Sequence, residues 1–224
     1  MAFVPDKSRA QNPRHQSEVL ICFAVKEEAK FMAASPYEIL ITGMGRHNAA
    51  RSIRRALEVV QPALVLTCGF AGGVNPELAL GGDLFDEDYD AGLGNALLGL
   101  GCLPGRFYCA KRVAVTSEEK KQLWVTTQAD AVEMESSVIR TICAELKISS
   151  ATIRVISDTA NEDLPLDFNA IMTSDDRSNY WKLAWASWTS PLKIPGLIDV
   201  QRQRIIAAQK LAHVLDELIK TRLA

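Results

Sequence analysis

The stretch Ala63-Leu-Val-Leu-Thr-Cys-Gly-Phe-Ala-Gly-Gly73 decides the fold. Ala63–Thr67 is a short apolar run suited to a strand buried on both faces. Cys68–Gly73 then brings three glycines, which let backbone approach a ligand closely. Open α/β sheets gather ligands outside the carboxyl ends of their strands, which is where these glycines fall. Working outward, Val19–Val25, Glu38–Thr42 and Ala151–Ile156 read as further buried strands. Helical patterns over Lys26–Ala33 and Asn48–Val60 follow the first two, and Met134–Leu146 precedes the last. Strands separated by helices predict an α/β chain: a single three-layer domain with a twisted, largely parallel or mixed central sheet. Val113–Thr116 is a candidate further strand. Gly81–Arg106 has no clear period, being rich in Gly and Asp at first and apolar through Ala96–Leu100.

The whole chain narrows the function classes. Its 224 residues suit one domain with a full core, and 48% hydrophobic with 23% charged residues is ordinary for a globular protein. A net charge of −2 gives no electrostatic reason for nucleic acid or an anionic membrane as partner. The five cysteines form no Cys-x-x-Cys pair, and no two of the three histidines stand at ligand spacing. They read as core thiols in a reducing compartment, with no protein-built metal site. Met1–Ser17 lacks the apolar core of a secretory leader and reads as a flexible tail ahead of one domain over residues 18–224. No run approaches the ~18–20 apolar residues of a membrane span, so a cytoplasmic protein without stable membrane insertion is expected.

The C-terminal part changes character. Asn161–Asp167 is acidic and contains a proline, hence a loop. Trp181, Trp185 and Trp188 share one helical face, as core, as subunit interface or as an apolar wall for a bulky substrate group. Pro191 and Pro195 are expected to break that helix before a final amphipathic one over Asp199–Leu223.

Carboxylates and glycines recur at one edge of this sheet. The strands lead into Lys26-Glu27-Glu28, Gly43-Met-Gly45, Cys68–Gly73 and Ser157-Asp158. In the helical pattern, Leu146, Cys143, Ile142 and Ile139 form an apolar stripe, and one step further back stands Glu135. A carboxylate heading a buried stripe calls for a partner. Glu133 falls on another face, with Ser137, Arg140 and Ala144. Each feature alone has an ordinary explanation: Glu27 and Glu28 as first-turn acids, Gly43–Gly45 as a tight turn, Asp158 as a cap. No glycine motif matches a dinucleotide or nucleoside-triphosphate loop.

Together these blocks resemble the nucleoside phosphorylase and nucleosidase superfamily, which includes the methylthioadenosine/adenosylhomocysteine nucleosidases. The likeness runs through Ala24-Val-Lys-Glu-Glu-Ala29, Thr42-Gly-Met-Gly-Arg-His-Asn-Ala-Ala50, Thr67–Gly73, Val132-Glu-Met-Glu135 and Arg154-Val-Ile-Ser-Asp158. Ser157–Pro165 and the tail carrying tryptophan and proline look like the branch associated with hopanoid biosynthesis, whose substrate is an adenosine joined to a hopane. The resemblance implies a nucleoside phosphorylase-like fold and cleavage of the N-glycosidic bond of a purine nucleoside, adenine being the expected base. It implies no cofactor beyond phosphate as a possible co-substrate, and a homo-oligomer.

By the same resemblance, Asp158 is the general acid, and Ser157 beside it is an orienting partner. To donate a proton near neutral pH, Asp158 needs burial or a negative neighbour. Glu135 is the acid that accepts hydrogen bonds from the ribose hydroxyls, Met134 packs on the sugar, and Glu133 is a weaker candidate of the same motif. Glu28 positions or activates the attacking water, with Glu27 as its register alternative, and Phe70, Ala71 and Gly72 line the pocket. Phosphorylases of the superfamily grip phosphate with arginines at the ends of the first and third strands, where this chain has none. That departure favours hydrolysis, while Gly45 with Arg46, or Lys111 and Arg112, keep phosphorolysis open. The other function class is a purine-nucleoside-binding module without turnover.

Overall fold

The computed structural model describes residues 15–32, 37–88, 91–165, 169 and 194–223. Its strands are β1 (His15–Phe23), β2 (Glu38–Ile41), β3 (Val60–Gly73), β4 (Asp83–Glu87), β5 (Leu103–Pro104), β6 (Phe107–Cys109), β7 (Ala131–Glu133) and β8 (Ser149–Asp158). Its helices are α1 (Gly45–Val59), α2 (Gly94–Gly99), α3 (Ser117–Thr127), α4 (Ser136–Glu145) and α5 (Ile194–Leu223). The strands form one mixed sheet in the order β2-β1-β3-β8-β4-β5. Strands β2, β1, β3 and β8 are parallel, β4 is antiparallel to β8, and β5 is parallel to β4. At its far end β3 also pairs with β7, which carries β6.

Alternation along the central strands explains the layers. Ile21, Phe23, Leu64, Leu66 and Cys68 pack with Leu97 of α2 and with Leu211, Leu215 and Leu218 of α5. The residues between them, Leu20, Cys22 and Val65, pack with Ile53 and Leu57 of α1 and Ile139 and Ile142 of α4. A strand buried on both faces reads as a continuous apolar run, as β1 and β3 do. The expected three-layer α/β architecture with a mixed sheet is the one observed.

Several local expectations give way to tertiary structure. Val113–Thr116 is no strand: Thr116 is the N-cap of α3, in a capping box with Glu119. Lys26–Met32 is turns ending in one 3-10 turn, Lys30–Met32. Gly81–Arg106 holds β4, α2 and β5. The helix expected from Met134 starts at Ser136, because Ala131–Glu133 is strand. Pro195 lies in the first turn of α5, where its missing N–H would have no partner in any case, and the helix expected to end before it lies outside the described residues. Strand β1 begins at His15, inside the expected tail. Trp181, Trp185, Trp188 and Pro191 lie outside the described residues, as do residues 1–14 of the tail. Among the described residues, no helix is long and apolar enough to cross a membrane.

Candidate active site

Strand β3 outruns its neighbours, and its end, Gly69–Gly73, carries Glu28 against Gly69 and Asp158 against Gly72. Glu28 is buried beneath it and accepts from three main-chain amides: Ala24 N at 2.9 Å, Val25 N at 3.2 Å and Phe70 N at 2.9 Å. Glycine at position 69 makes this contact possible. Its φ is +153°, and a Cβ there would lie 2.5 Å from Glu28 Oε1. Burial raises the Glu28 pKa from the ordinary carboxylate value, against the pull of those amides and of Arg154. Glu27 is exposed, which separates the two residues that the sequence left as alternatives.

The Val132–Glu135 segment runs from β7 to the start of α4. Glu135 accepts from Gly45 N at 2.7 Å, so it caps the first turn of α1, whose own N-cap residue, Met44, offers no side-chain hydrogen bond. Glu135 is 9% exposed; burial, then the charge of Glu133, pushes its pKa up to about 8. Met134 beside it is buried.

Glu133 departs from its sequence reading. The helical periodicity that put it on an unremarkable face does not apply, since it belongs to β7 and is among the most buried polar groups described. Its carboxylate accepts from Glu135 N at 3.0 Å, Ser136 N at 2.7 Å and Ser136 Oγ at 2.7 Å, and pairs with Arg154 Nη2 at 2.8 Å. Burial alone would raise its pKa, but Arg154 and these donors outweigh burial and hold it below the usual carboxylate range. Arg154, buried in β8, also donates to Thr67 O at 2.7 Å and Thr67 Oγ1 at 3.1 Å, and its positive charge acts on Glu133, Glu135 and Glu28. In the sequence Arg154 stands inside the block Arg154-Val-Ile-Ser-Asp158, with no role of its own. Its signal was a lone charge inside an apolar run, which demands a buried partner.

Asp158 closes β8 across a register shift. Ala71 pairs with Ile156 but Gly72 pairs with Asp158, so Ser157 is the extra residue of a bulge that re-aims the strand end. Gly72 leaves room for the acid, because a Cβ there would lie 3.1 Å from Asp158 Oδ2. Ser157 Oγ donates to Asp158 Oδ1 at 2.7 Å, the orienting contact the sequence suggested.

The neighbour of Asp158 Oδ2 was not foreseen. Lys120 Nζ lies 2.6 Å away, its side chain wholly shielded from solvent, and it donates to Thr159 O at 2.7 Å and Glu162 O at 2.8 Å. Sequence reasoning asked for burial or a negative neighbour to keep Asp158 protonated; the fold supplies a cation. Nothing in Ser117-Glu-Glu-Lys-Lys-Gln122 distinguishes Lys120 from the exposed Lys121.

Phe70 is partly buried against the core, and Ala71 is buried with Leu84, Ala131 and Ile156. Gly45 is buried, with its amide committed to Glu135. Arg46 and Lys111 are exposed, and Arg112 pairs with Glu119 at 2.6 Å on the surface. Cys68, next to Gly69, has its thiol pushed up to about 12 by burial, which suits a core residue and not a nucleophile. An apolar cleft lined by Val19, Leu64, Leu66, Leu93, Leu218 and Ile219 is separate from these acids and presents none of them. Glu28 and Asp158 instead lie against the glycine-rich end of β3, and the charge of Glu135 is felt by Glu28.

Comparison with known proteins bears on the family and on the fold. The family model described as Phosphorylase superfamily matches residues 82–180. The 5'-methylthioadenosine/S-adenosylhomocysteine nucleosidase of Marinomonas sp. (strain MWYL1) is 26% identical over 166 residues, covering 58% of this chain and 71% of the relative. The crystal structure of the Campylobacter jejuni enzyme of the same name is 18% identical, with a TM-score of 0.62 over 89% of this chain and 98% of that one. Futalosine hydrolase of Helicobacter pylori strain 26695 is 15% identical, with a TM-score of 0.66 over 92% and 98%. The resemblance to the nucleoside phosphorylase and nucleosidase superfamily is borne out in sequence and in fold.

Proposed function

We propose, for a chain with the fold and sequence marks of the nucleoside phosphorylase and nucleosidase superfamily, that it is an enzyme that hydrolyses the N-glycosidic bond of a purine nucleoside, with adenine as the expected base. The observation that carries the reading is that Glu28 and Asp158 lie against one glycine-rich strand end, with Glu135 coupled to Glu28 by charge, and that each acid is held by a specific hydrogen-bond donor. Glu28 is bound by three amides, Glu135 by Gly45 N and Asp158 by Ser157 Oγ and Lys120. The relatives named above are nucleosidases and a hydrolase, which supports the same reaction class.

The chemistry assigns the roles. As the bond breaks, the sugar approaches an oxocarbenium cation and the base takes up the bonding electrons. Protonation of the base by Asp158 relieves that charge, a step worth about 10²–10⁴-fold in rate. Glu135 accepts hydrogen bonds from the ribose hydroxyls and so fixes the sugar for the reaction. Raised by burial, the pKa of Glu28 moves towards the working range of a base that takes a proton from water.

Water is the nucleophile these features support. The Gly45 amide already serves Glu135, so phosphate at that turn would meet a carboxylate. Arg154 is committed to Glu133 and Thr67, and Arg112 to Glu119. Arg46 and Lys111 are solvated. As the finer reading, the likeness of Ser157–Pro165 and the tryptophan-bearing tail to the hopanoid-associated branch supports a bulky apolar group at the ribose 5′ position.

The test is release of adenine from a panel of 5′-substituted adenosines, including a hopane-linked one, with phosphate varied. Release without phosphate supports hydrolysis, and a gain with the apolar substituent supports the finer reading. Tight binding of adenosine analogues in calorimetry with no product at any substituent would show a binding module instead.

A further inference from the structure

We infer that Lys120 supplies the proton that Asp158 delivers to the departing base. The inference deepens the proposed function and rests on it. Lys120 projects from α3 to the C-terminal end of β8, and its side chain is fully buried. A buried ammonium is unfavourable unless it is paired and hydrogen-bonded. Here each of its three protons has an acceptor: Asp158 Oδ2 at 2.6 Å, Thr159 O at 2.7 Å and Glu162 O at 2.8 Å.

The identity of those acceptors makes the site more than a loop anchor. Two are main-chain carbonyls of the segment following the acid; the third is the acid itself. If Nζ passes its proton to Asp158, the neutral amine keeps both N–H bonds to the carbonyls and the new carboxyl O–H turns from Nζ to the base. Neither carbonyl loses its donor, so the transfer needs no rearrangement of the buried segment. Paired with an ammonium as a carboxylate, Asp158 is acceptor-only and has no proton of its own to give. Its other oxygen already accepts from Ser157 Oγ. The proton comes from Lys120.

The transfers balance. The C–N bond breaks and its electron pair goes to the base. The base takes a proton from Asp158, and Asp158 takes one from Lys120 Nζ. Water bonds to the ribose carbon and gives its proton to Glu28. Lys120 ends one proton short and Glu28 one proton over, and exchange with solvent after product release restores both. The other acids near Lys120 are tied elsewhere: Glu162 Oε2 accepts from Thr159 N at 3.0 Å and Asp163 Oδ1 from Ser117 N at 2.6 Å. Lys120 is thus a positioning and proton-supplying residue that acts through Asp158.

The test compares two leaving groups. One substrate is the purine nucleoside that the parent cleaves. The other is 4-nitrophenyl β-D-ribofuranoside, whose phenolate leaves as a stable anion without a proton. Lys120→Met is expected to lower kcat/KM for the nucleoside about 100-fold or more relative to the phenyl riboside. Lys120→Arg is expected to show the same selective loss, because a guanidinium keeps the charge but cannot release a proton. An equal loss on both substrates in both variants overturns the inference and leaves a structural lysine. Return of the parent ratio in Lys120→Arg also overturns it, since charge alone would then suffice. A parent protein that cleaves no purine nucleoside refutes the proposed function itself, and this inference with it.

Discussion

Replacing Arg154 by methionine tests whether the acids of the site depend on one buried cation. Methionine fills similar volume, so the loss is electrostatic more than steric. Arg154 and Glu133 have side chains only 3% and 1% exposed, and their contact is 2.8 Å. Removing one partner of such a pair costs about 3–5 kcal/mol, because the other charge stays buried. Thr67 O would also lose its 2.7 Å donor. Ser136 and the Glu135 amide still serve Glu133, which argues for the lower part of that range. Against a typical total of about 5–15 kcal/mol the variant folds but is plainly weakened. For a chain of this size the melting temperature should fall by roughly 6–15 °C. Urea unfolding measures it as a lower midpoint at unchanged slope. The decisive comparison adds Glu133→Gln to Arg154→Met: the amide needs no cation, and the double variant should regain at least about 1 kcal/mol over the single. A single variant within about 1 kcal/mol of the parent, or a double variant no better than the single, would refute the reasoning.

Three further outcomes follow from the same geometry. Asp158→Asn should lower nucleoside cleavage by about 10²–10⁴-fold while leaving binding of an adenosine analogue within a few-fold, read by kinetics and calorimetry; activity equal to the parent would remove Asp158 from the acid role. Gly69→Ala places a methyl 2.5 Å from Glu28 Oε1 at a φ that disfavours side chains, so stability should drop by about 1–3 kcal/mol and cleavage should fall as Glu28 is displaced; an unchanged melt and rate would contradict the contact. Glu135 has a pKa of about 8 against an ordinary 4.5, so the folded protein holds more protons than the unfolded chain between those values. Native stability from this group is therefore greatest near the acid side and falls as pH rises through that window. Glu135→Gln lacks this titration, so its stability relative to the parent should improve from pH 5 to pH 9 by up to about 4 kcal/mol, and parallel stability curves would show that Glu135 does not titrate there.

The legible parts of this chain were those where sequence and environment speak together. Continuous apolar runs made β1 and β3 legible because both faces of those strands are covered. Glu135 was legible as an acid leading an apolar stripe, and Asp158 as an acid at the end of one. What escaped detection was set by long-range contact. Three-residue β7 exists because Gly72 and Gly73 pair with it, a contact its own pattern does not encode, and missing it put Glu133 on the wrong face. Val113–Thr116 has strand-like residues but leads into the capping box of α3. Lys120 sits in a charged segment like any solvated one, and its contacts with Thr159 O and Glu162 O come from a segment some forty residues away. The fold follows largely from local pattern, whereas the pairing of cations with acids follows from topology.

The measurement closest to the central claim is product analysis of a purine nucleoside turned over in ¹⁸O-labelled water without phosphate. Hydrolysis predicts free base in equal amount with a sugar that carries one labelled oxygen at the anomeric carbon, allowing for its spontaneous exchange in a control. Release of base only when phosphate is present, with the sugar recovered as its 1-phosphate, would contradict the account, as would no release at all.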